Sequence, residues 1–182
     1  MIGGKDGETV GCVAMASPHR HLAILRHAKS SWSNAAIPDH DRPLNARGRR
    51  AASLVGRHLS EAGLHPELVL CSSATRATQT LDLLDIAENT ETMVEDLLYW
   101  ADAGVLLDRL RQIADTVGSV LLVGHNPGVE ELTRVIVADQ MAWAEKFPTA
   151  AIAILDLPIP AWTCLGAGIG DLREFVVPPD LE

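Results

Sequence analysis

Three short apolar runs, each followed at once by polar residues, constrain the fold of this chain more than any other feature. The runs are Leu22–Leu25, Leu68–Leu70 and Val120–Val123. Continuous apolar runs of this length are typical of parallel strands that are buried on both faces. A fourth run, Ala150–Leu155, has the same character. The four runs predict the centre of one mostly parallel sheet.

Segments with helical periodicity lie between these runs. Asn45 is placed to cap a helix over 46–62, and Gly63 to end it. Further helices are predicted over 76–87, 103–116 and, with Asn126 as the cap, 127–137. Alternating strands and helices predict an α/β fold, a three-layer α/β/α sandwich with a mostly parallel central sheet. Residues 156–182 are expected to add a terminal hairpin or edge strand.

The length of 182 residues predicts a single domain, over 20–182, preceded by a flexible arm over 1–19. No apolar run is long enough to cross a membrane, and the first residues carry no secretory signal. The three cysteines are odd in number and widely spaced, which favours a reducing compartment and therefore a cytoplasmic location.

The charged residues narrow the range of partners. A net charge of −9 argues against general nucleic-acid binding, because a phosphate backbone requires a positive surface. The seven histidines show no His-Glu-x-x-His arrangement, so no metal site and no cofactor are expected. Any positive charge that binds a phosphorylated partner must therefore be local.

Arginine and histidine recur among the polar residues that follow the three runs. Arg26 and His27 follow the first run, Arg76 lies shortly after the second, and His125 follows the third. Because parallel strands place their carboxyl ends at the same edge of a sheet, these four side chains are expected to converge. Guanidinium forks match phosphoryl oxygens, and a neutral imidazole is nucleophilic near neutral pH. The pattern predicts a phosphatase site in which His27 attacks phosphorus.

Three segments carry a family resemblance: RHAK at 26–29, SSATRATQT at 72–80 and VGHNP at 123–127. In this order they resemble the signature segments of the histidine phosphatase superfamily, which has the phosphoglycerate-mutase-like fold. The segment DRPLNARG at 41–48 is similar to the SixA-type phosphohistidine phosphatase branch. The resemblance implies that His27 is transiently phosphorylated.

The resemblance also implies roles for other residues. Arg26, Arg76 and His125 complete the phosphate pocket, and Arg42 is an additional substrate contact. Ser72 is expected to add a hydroxyl donor. The leaving group needs a proton donor, for which Glu95 is the best candidate and Asp96 the second.

The expected substrate is a protein that carries phosphohistidine, with a small phosphate ester as the alternative. The same site residues are also compatible with a phosphoglycerate mutase and with a module that binds phosphorylated partners without turnover. Ala28 stands where the family usually has glycine, while Lys29 and Ser33 depart from the pattern common in the mutases and count against that assignment. A cysteine phosphatase using Cys71 is disfavoured because only four residues separate it from Arg76.

Overall fold

One six-stranded sheet organises the chain in the computed structural model, which describes residues 19–139 and 146–178. The strands are β1 Arg20–Arg26, β2 Leu68–Ser72, β3 Glu91–Glu95, β4 Ser119–Gly124, β5 Ile152–Leu157 and β6 Asp171–Val176. Their order across the sheet is β3-β2-β4-β1-β5-β6. The pairs β1–β4, β2–β4 and β2–β3 are parallel, as predicted for the three central runs.

The fourth apolar run forms β5, which is antiparallel to both β1 and β6. It therefore does not share the parallel direction of the other three runs. The chain enters β5 from the edge at which β1 ends, since the backbone N–H of Ala150 donates to the carbonyl oxygen of Arg26 at 3.1 Å. The last strand, β6, is the edge strand predicted within 156–182.

Four helices connect the strands: α1 Ala46–Glu61, α2 Thr75–Asp82, α3 Ala103–Arg111 and α4 Gly128–Ile136. The start of α1 is as predicted, because the side chain of Asn45 accepts a hydrogen bond from Gly48 N at 2.8 Å. Gly63 follows this helix with φ of 66°, the left-handed conformation that glycine adopts without strain. Both α2 and α3 end earlier than the periodicity predicted.

The predicted cap of α4 is wrong. The side chain of Asn126 donates to Glu130 Oε2 at 2.8 Å and to the carbonyl oxygen of Phe147 at 3.1 Å. The helix begins at Gly128 with Pro127 as its N-terminal neighbour and without a side-chain cap. These contacts fix the orientation of the side chain, and Asn126 Oδ1, the atom that would accept from the first turn, has no hydrogen-bond partner among the described residues.

Two hydrophobic cores lie on the two faces of the sheet, which confirms the three-layer architecture. Helices α3 and α4 cover one face, with Leu106, Leu110, Leu132 and Ile136 fully or almost fully buried. Helices α1 and α2 cover the other face, where the buried residues include Ala52, Val55, Leu59 and Ala77. The parallel strands β1, β2 and β4 each supply alternate residues to the two cores, which is why their runs are continuously apolar.

The predicted arm, residues 1–19, lies outside the described residues except for His19. Within the described ranges, none of the helices combines the length and the apolar character that crossing a membrane requires.

Candidate active site

The sheet register brings the two predicted histidines together. Arg26 at the end of β1 pairs with Gly124 at the end of β4, so His27 and His125 are the next residues on adjacent strands. The backbone N–H of His27 donates to the carbonyl oxygen of Gly124 at 3.0 Å. The two imidazole rings lie 4.8 Å apart between centroids.

The ring of His27 is held in one tautomer. Its Nδ1 lies 2.8 Å from the carbonyl oxygen of Ala28, which can only accept, so Nδ1 carries the proton. The lone pair is therefore on Nε2, which accepts from Nε of Arg76 at 3.2 Å. Ala28 has no positive φ, so alanine is compatible with the backbone at this position. The local structure thus directs an unprotonated nitrogen at the guanidinium.

The ring of His125 is also held in one tautomer, with the proton on the other ring nitrogen from that of His27. Its Nδ1 lies 3.4 Å from Nη2 of Arg76, which can only donate. The proton of the neutral ring is then on Nε2, which lies 2.7 Å from Oγ of Ser72. Ser72 is completely buried, so its hydroxyl orients His125 from the side away from solvent. We call Ser72, His27, Arg76 and His125 the pocket floor.

Arg76 is the centre of the floor. It is the second residue of α2 and only 3% exposed. The edge of its guanidinium formed by Nε and Nη2 faces the two histidines. Its Nη1 donates to the backbone oxygen of Asp39 at 2.6 Å, and Nη2 donates to Asp39 Oδ2 at 3.0 Å. The cation is thus shared between the histidines and one carboxylate.

Both histidines stay neutral under ordinary conditions. Burial lowers the pKa of His27 to about 3; its bond to the carbonyl oxygen of Ala28 opposes this effect, and Arg76 and Arg26 reinforce it. The pKa of His125 is also lowered to about 3, again chiefly by burial, then by His27 and Arg76. A neutral imidazole has the free lone pair that nucleophilic attack requires.

Arg26 lies close enough to lower the pKa of both histidines. Its Nη1 donates to the carbonyl oxygen of Phe147 at 2.7 Å, while its buried Nε has no hydrogen-bond partner among the described residues. The structure therefore brings Arg26, Arg76, His27 and His125 to one edge of the sheet.

The other predicted site residues have distinct environments. Arg42 lies with its guanidinium 3.7 Å from the ring centre of Trp32, and its Nε is 3.9 Å from Asp39 Oδ1. Glu95 forms a bidentate ion pair with Arg109, with contacts from 2.7 to 3.0 Å. Both carboxylate oxygens of Glu95 are therefore in contact with Arg109. Asp96 is exposed at the start of a 3₁₀ helix.

The structure also places residues at the site that the sequence did not indicate. Asp39 begins the 3₁₀ helix Asp39–Asp41, and its Oδ2 accepts from the Tyr99 hydroxyl at 2.8 Å. Trp100 stacks on His125 with 5.6 Å between ring centroids and is 54% exposed. The residues that adjoin the floor through these contacts, which we call the rim, are Trp32, Asp39, Arg42, Tyr99 and Trp100.

In the sequence, the only feature that pointed to Asp39 was its position three residues before Arg42, which begins the Arg-Pro-Leu segment. No local feature pointed to Tyr99 or Trp100. Trp100 has φ of 54°, in the left-handed region that is costly for a bulky residue. The carbonyl oxygen of the next residue, Ala101, lies so close to Gly128 that a Cβ atom at position 128 would collide with it. This close contact with the first turn of α4 helps to hold the Trp100 ring over His125.

The thiol of Cys71 is fully buried, and burial raises its pKa to about 12, with a further contribution from Asp82. A thiol in this state is not a nucleophile at neutral pH. In the ranges 19–139 and 146–178, no cluster of three or more His, Cys, Asp or Glu side chains is arranged to hold a metal ion.

Comparison with known proteins gives one family. The model of the histidine phosphatase superfamily, branch 1, matches residues 22–118, which include His27 and Arg76 and end before His125. An uncharacterized protein of Mycobacterium tuberculosis is 37% identical over 163 residues, covering 85% of this chain and 99% of that protein.

Solved structures show the same relationship. SixA from Nakamurella multipartitia superposes with a TM-score of 0.80 at 28% identity, covering 88% of this chain and 97% of that chain. The protein histidine phosphatase SixA complexed with tungstate superposes with a TM-score of 0.74 at 26% identity, covering 89% and 99%.

Proposed function

The chain belongs to the histidine phosphatase superfamily, branch 1, and from this premise we propose that it is a phosphatase that works through a phosphohistidine on His27. One observation carries the proposal. The unprotonated Nε2 of His27 is directed at the Nε of Arg76, 3.2 Å away, beside a second neutral histidine. Such a site supplies a nucleophile and the donors for phosphoryl oxygens in the same pocket.

The reaction has two steps. First, Nε2 of His27 forms a bond to phosphorus while the bond from phosphorus to the leaving atom breaks. The leaving atom keeps the electron pair of that bond and takes up a proton from solvent. Second, water attacks the phosphorus, the N–P bond breaks, and its electron pair returns to Nε2. The water proton and inorganic phosphate leave the site.

The floor stabilises the charge that develops in both steps. Arg76 presents two N–H groups to the phosphoryl oxygens from the edge that faces the histidines. Arg26 adds a second cation. His125 stacks under Trp100 and is held by Ser72, so it is placed to donate to an oxygen once the bound phosphoryl group raises its proton affinity. In phosphoryl transfer, positioning and electrostatic stabilisation supply most of the rate.

The substrate that we propose is phosphohistidine on a protein. Glu95 is paired with Arg109, and the pKa of Asp39 is lowered overall, although its partial burial acts in the opposite direction. Neither carboxyl group is therefore a ready acid for a departing alkoxide. An imidazole leaves more easily than an alkoxide, so a phosphoramidate bond needs less protonation. Similarity to SixA structures at 26–28% identity supports the same substrate class.

The experiment is a panel of phosphorylated substrates assayed for release of inorganic phosphate. We expect a phosphohistidine protein to be hydrolysed faster than small phosphomonoesters at equal concentration. His27→Ala is expected to abolish turnover, and mass spectrometry of the wild-type protein during turnover should find an acid-labile phosphoryl group on His27. His65→Ala, an exposed histidine away from the floor, is the matched control.

Three results would contradict the proposal. Isomerisation of phosphoglycerate with little release of phosphate would indicate a mutase. Stoichiometric binding of a phosphoprotein without turnover would indicate a binding module. Loss of activity in Cys71→Ser at an unchanged melting temperature would indicate a cysteine enzyme. Because all proposed steps use side chains of this protein, turnover is expected to persist in the presence of EDTA.

A further inference from the structure

The guanidinium of Arg76 uses two different edges. Its inner edge, Nε and Nη2, meets His27 Nε2 at 3.2 Å and His125 Nδ1 at 3.4 Å. Its outer edge, Nη1 and Nη2, meets the backbone oxygen of Asp39 at 2.6 Å and Asp39 Oδ2 at 3.0 Å. One residue thus supplies both partners of the outer edge.

Helix α2 by itself does not orient this guanidinium. The helix places the backbone of Arg76, but several rotatable bonds separate that backbone from the planar group. The two inner N–H groups are useful for phosphoryl transfer only when they lie between the histidines, because small displacements of donors are costly to catalysis. A partner on the outer edge removes this freedom.

Asp39 is itself held in place. Its Oδ2 accepts from the Tyr99 hydroxyl at 2.8 Å, in addition to Arg76. Tyr99 packs edge-on against His40, with 4.9 Å between ring centroids, and His40 Nε2 lies 3.0 Å from Ser73 Oγ. These contacts link the 3₁₀ helix Asp39–Asp41 to the loop that follows β2. Asp39 is therefore a supported acceptor, although 38% of its side chain is exposed.

We propose that Asp39 is a positioning residue that holds the outer edge of Arg76, with Tyr99 as its support, so that the inner edge faces the transferred phosphoryl group. This inference rests on the proposed function for the role of that inner edge. Asp39 touches neither histidine through a hydrogen bond in the described structure, and it acts through Arg76. Two rival roles for the same carboxylate are a proton donor and an anion that competes with phosphate.

The test compares Asp39→Ala with Asp39→Asn. The two variants have the same charge, but asparagine keeps a carbonyl oxygen that can accept from Arg76 and Tyr99. Any difference between them therefore reports the acceptor rather than the charge. Asp41→Ala, in the same 3₁₀ helix and 62% exposed, is the control for local disturbance. Thermal unfolding of each variant checks that it is folded.

Two quantities are measured for each variant. We expect kcat of Asp39→Ala to fall by about tenfold to a hundredfold with little change in KM, the cost of a misplaced catalytic donor. Asp39→Asn should recover most of this loss. By calorimetric titration, tungstate should bind to Asp39→Ala about tenfold more weakly than to Asp39→Asn, as expected for one hydrogen bond to a charged group. Tyr99→Phe should give a smaller loss than Asp39→Ala.

Other outcomes would overturn the inference. Equal losses in Asp39→Ala and Asp39→Asn would assign the effect to charge or proton donation. Tighter tungstate binding and unchanged kcat in both variants would make Asp39 a competitor of phosphate. If the wild-type protein hydrolysed no substrate, the proposed function would fail, while a difference in tungstate binding between the two variants would still support the positioning role.

Discussion

The pocket floor and the rim are in direct contact but are built in different ways. Each floor residue ends a strand, directly follows one or lies in the first turn of a helix, and all are at most 8% exposed. Rim residues come from loops and a 3₁₀ helix, and Trp32 is 69% exposed. The sheet thus supports a rigid set of reacting groups, while connecting segments supply the groups that orient them and meet the substrate.

Electrostatics separates the two regions further. In the floor, burial keeps both histidines neutral beside a cation. In the rim, Asp39 is ionised, and Arg42 stacks on an exposed ring. We infer that the floor determines the reaction and that the rim determines how well the substrate is held. Each prediction below tests this division, beginning with the largest effect.

Replacing Arg76 by alanine is expected to lower kcat by about a hundredfold to a thousandfold, the range seen when one preorganised donor is removed from an active site. Arg76→Lys should also be severely impaired, because the single ammonium group of lysine cannot replace the hydrogen bonds that the guanidinium donates from its two edges. Steady-state kinetics of both variants with the best substrate of the panel measure the effect. Near wild-type rates in Arg76→Lys would contradict the two-edge geometry.

Acid should destabilise the protein through the floor histidines. Their pKa values are about 3 in the folded protein and near the ordinary 6.5 when unfolded. Between these values the unfolded chain binds more protons, so the free energy of unfolding falls as pH decreases from 6.5 toward 3. The contribution of the two histidines to the free energy of unfolding is fully present above pH 6.5 and is lost as the pH falls toward 3.

Denaturant unfolding at pH 7.5 and pH 5 measures this decrease. It should be smaller in His27→Gln than in the wild-type protein, and His65→Ala should keep the wild-type decrease. For the same reason, kcat/KM should show no acid limb near pH 6.5. A limb at that pH would mean that His27 titrates like a solvated histidine.

Replacing Arg42 by alanine is expected to raise KM by about tenfold, the effect of one charge-assisted hydrogen bond, with kcat within a few-fold of wild type. The reason is that the guanidinium of Arg42 lies at the rim against the exposed ring of Trp32, where its positive charge attracts a substrate anion. Initial rates over a range of substrate concentrations separate the two constants. A fall in kcat as large as that of Arg76→Ala would place Arg42 in the floor.

Glu95→Gln is expected to have the smallest effect on the rate. The ion pair with Arg109 would be lost, at a cost of roughly 1 kcal/mol in the free energy of unfolding. The value of kcat should change by less than about twofold, because general acid catalysis, which typically contributes at least a hundredfold, is not assigned to this carboxylate. A large loss of kcat confined to phosphomonoesters would restore Glu95 as the proton donor.

Much of the floor was predictable because its signals are local. The apolar runs identified β1, β2 and β4, and the shared edge of parallel strands predicted that His27 and His125 would meet. Asn45 and Gly63 marked the ends of α1. Apart from Arg42, the rim was not predictable in this way, because Asp39 meets Arg76 across 37 positions and Tyr99 across 60.

Two departures from the local expectations have the same origin. The amide nitrogen of Asn126 donates to the carbonyl oxygen of Phe147 and to Glu130, and its Oδ1, the atom that would cap the helix, has no hydrogen-bond partner among the described residues. Glu95, whose role as the proton donor stays a prediction, has both carboxylate oxygens in contact with Arg109 of α3. In both cases a residue of another segment, Phe147 or Arg109, contacts the side chain in a way that the local pattern does not show.

The sequence by itself determined the parallel core of the sheet and indicated the four residues to which we assign phosphoryl chemistry, since apolar runs and the residues that follow them are properties of short segments. Only the tertiary structure decided the direction of β5, the tautomers of the two histidines and the attachment of Asp39 to Arg76. These features depend on which atoms face each other after burial, and hydrogen bonds between distant segments have no period along the chain.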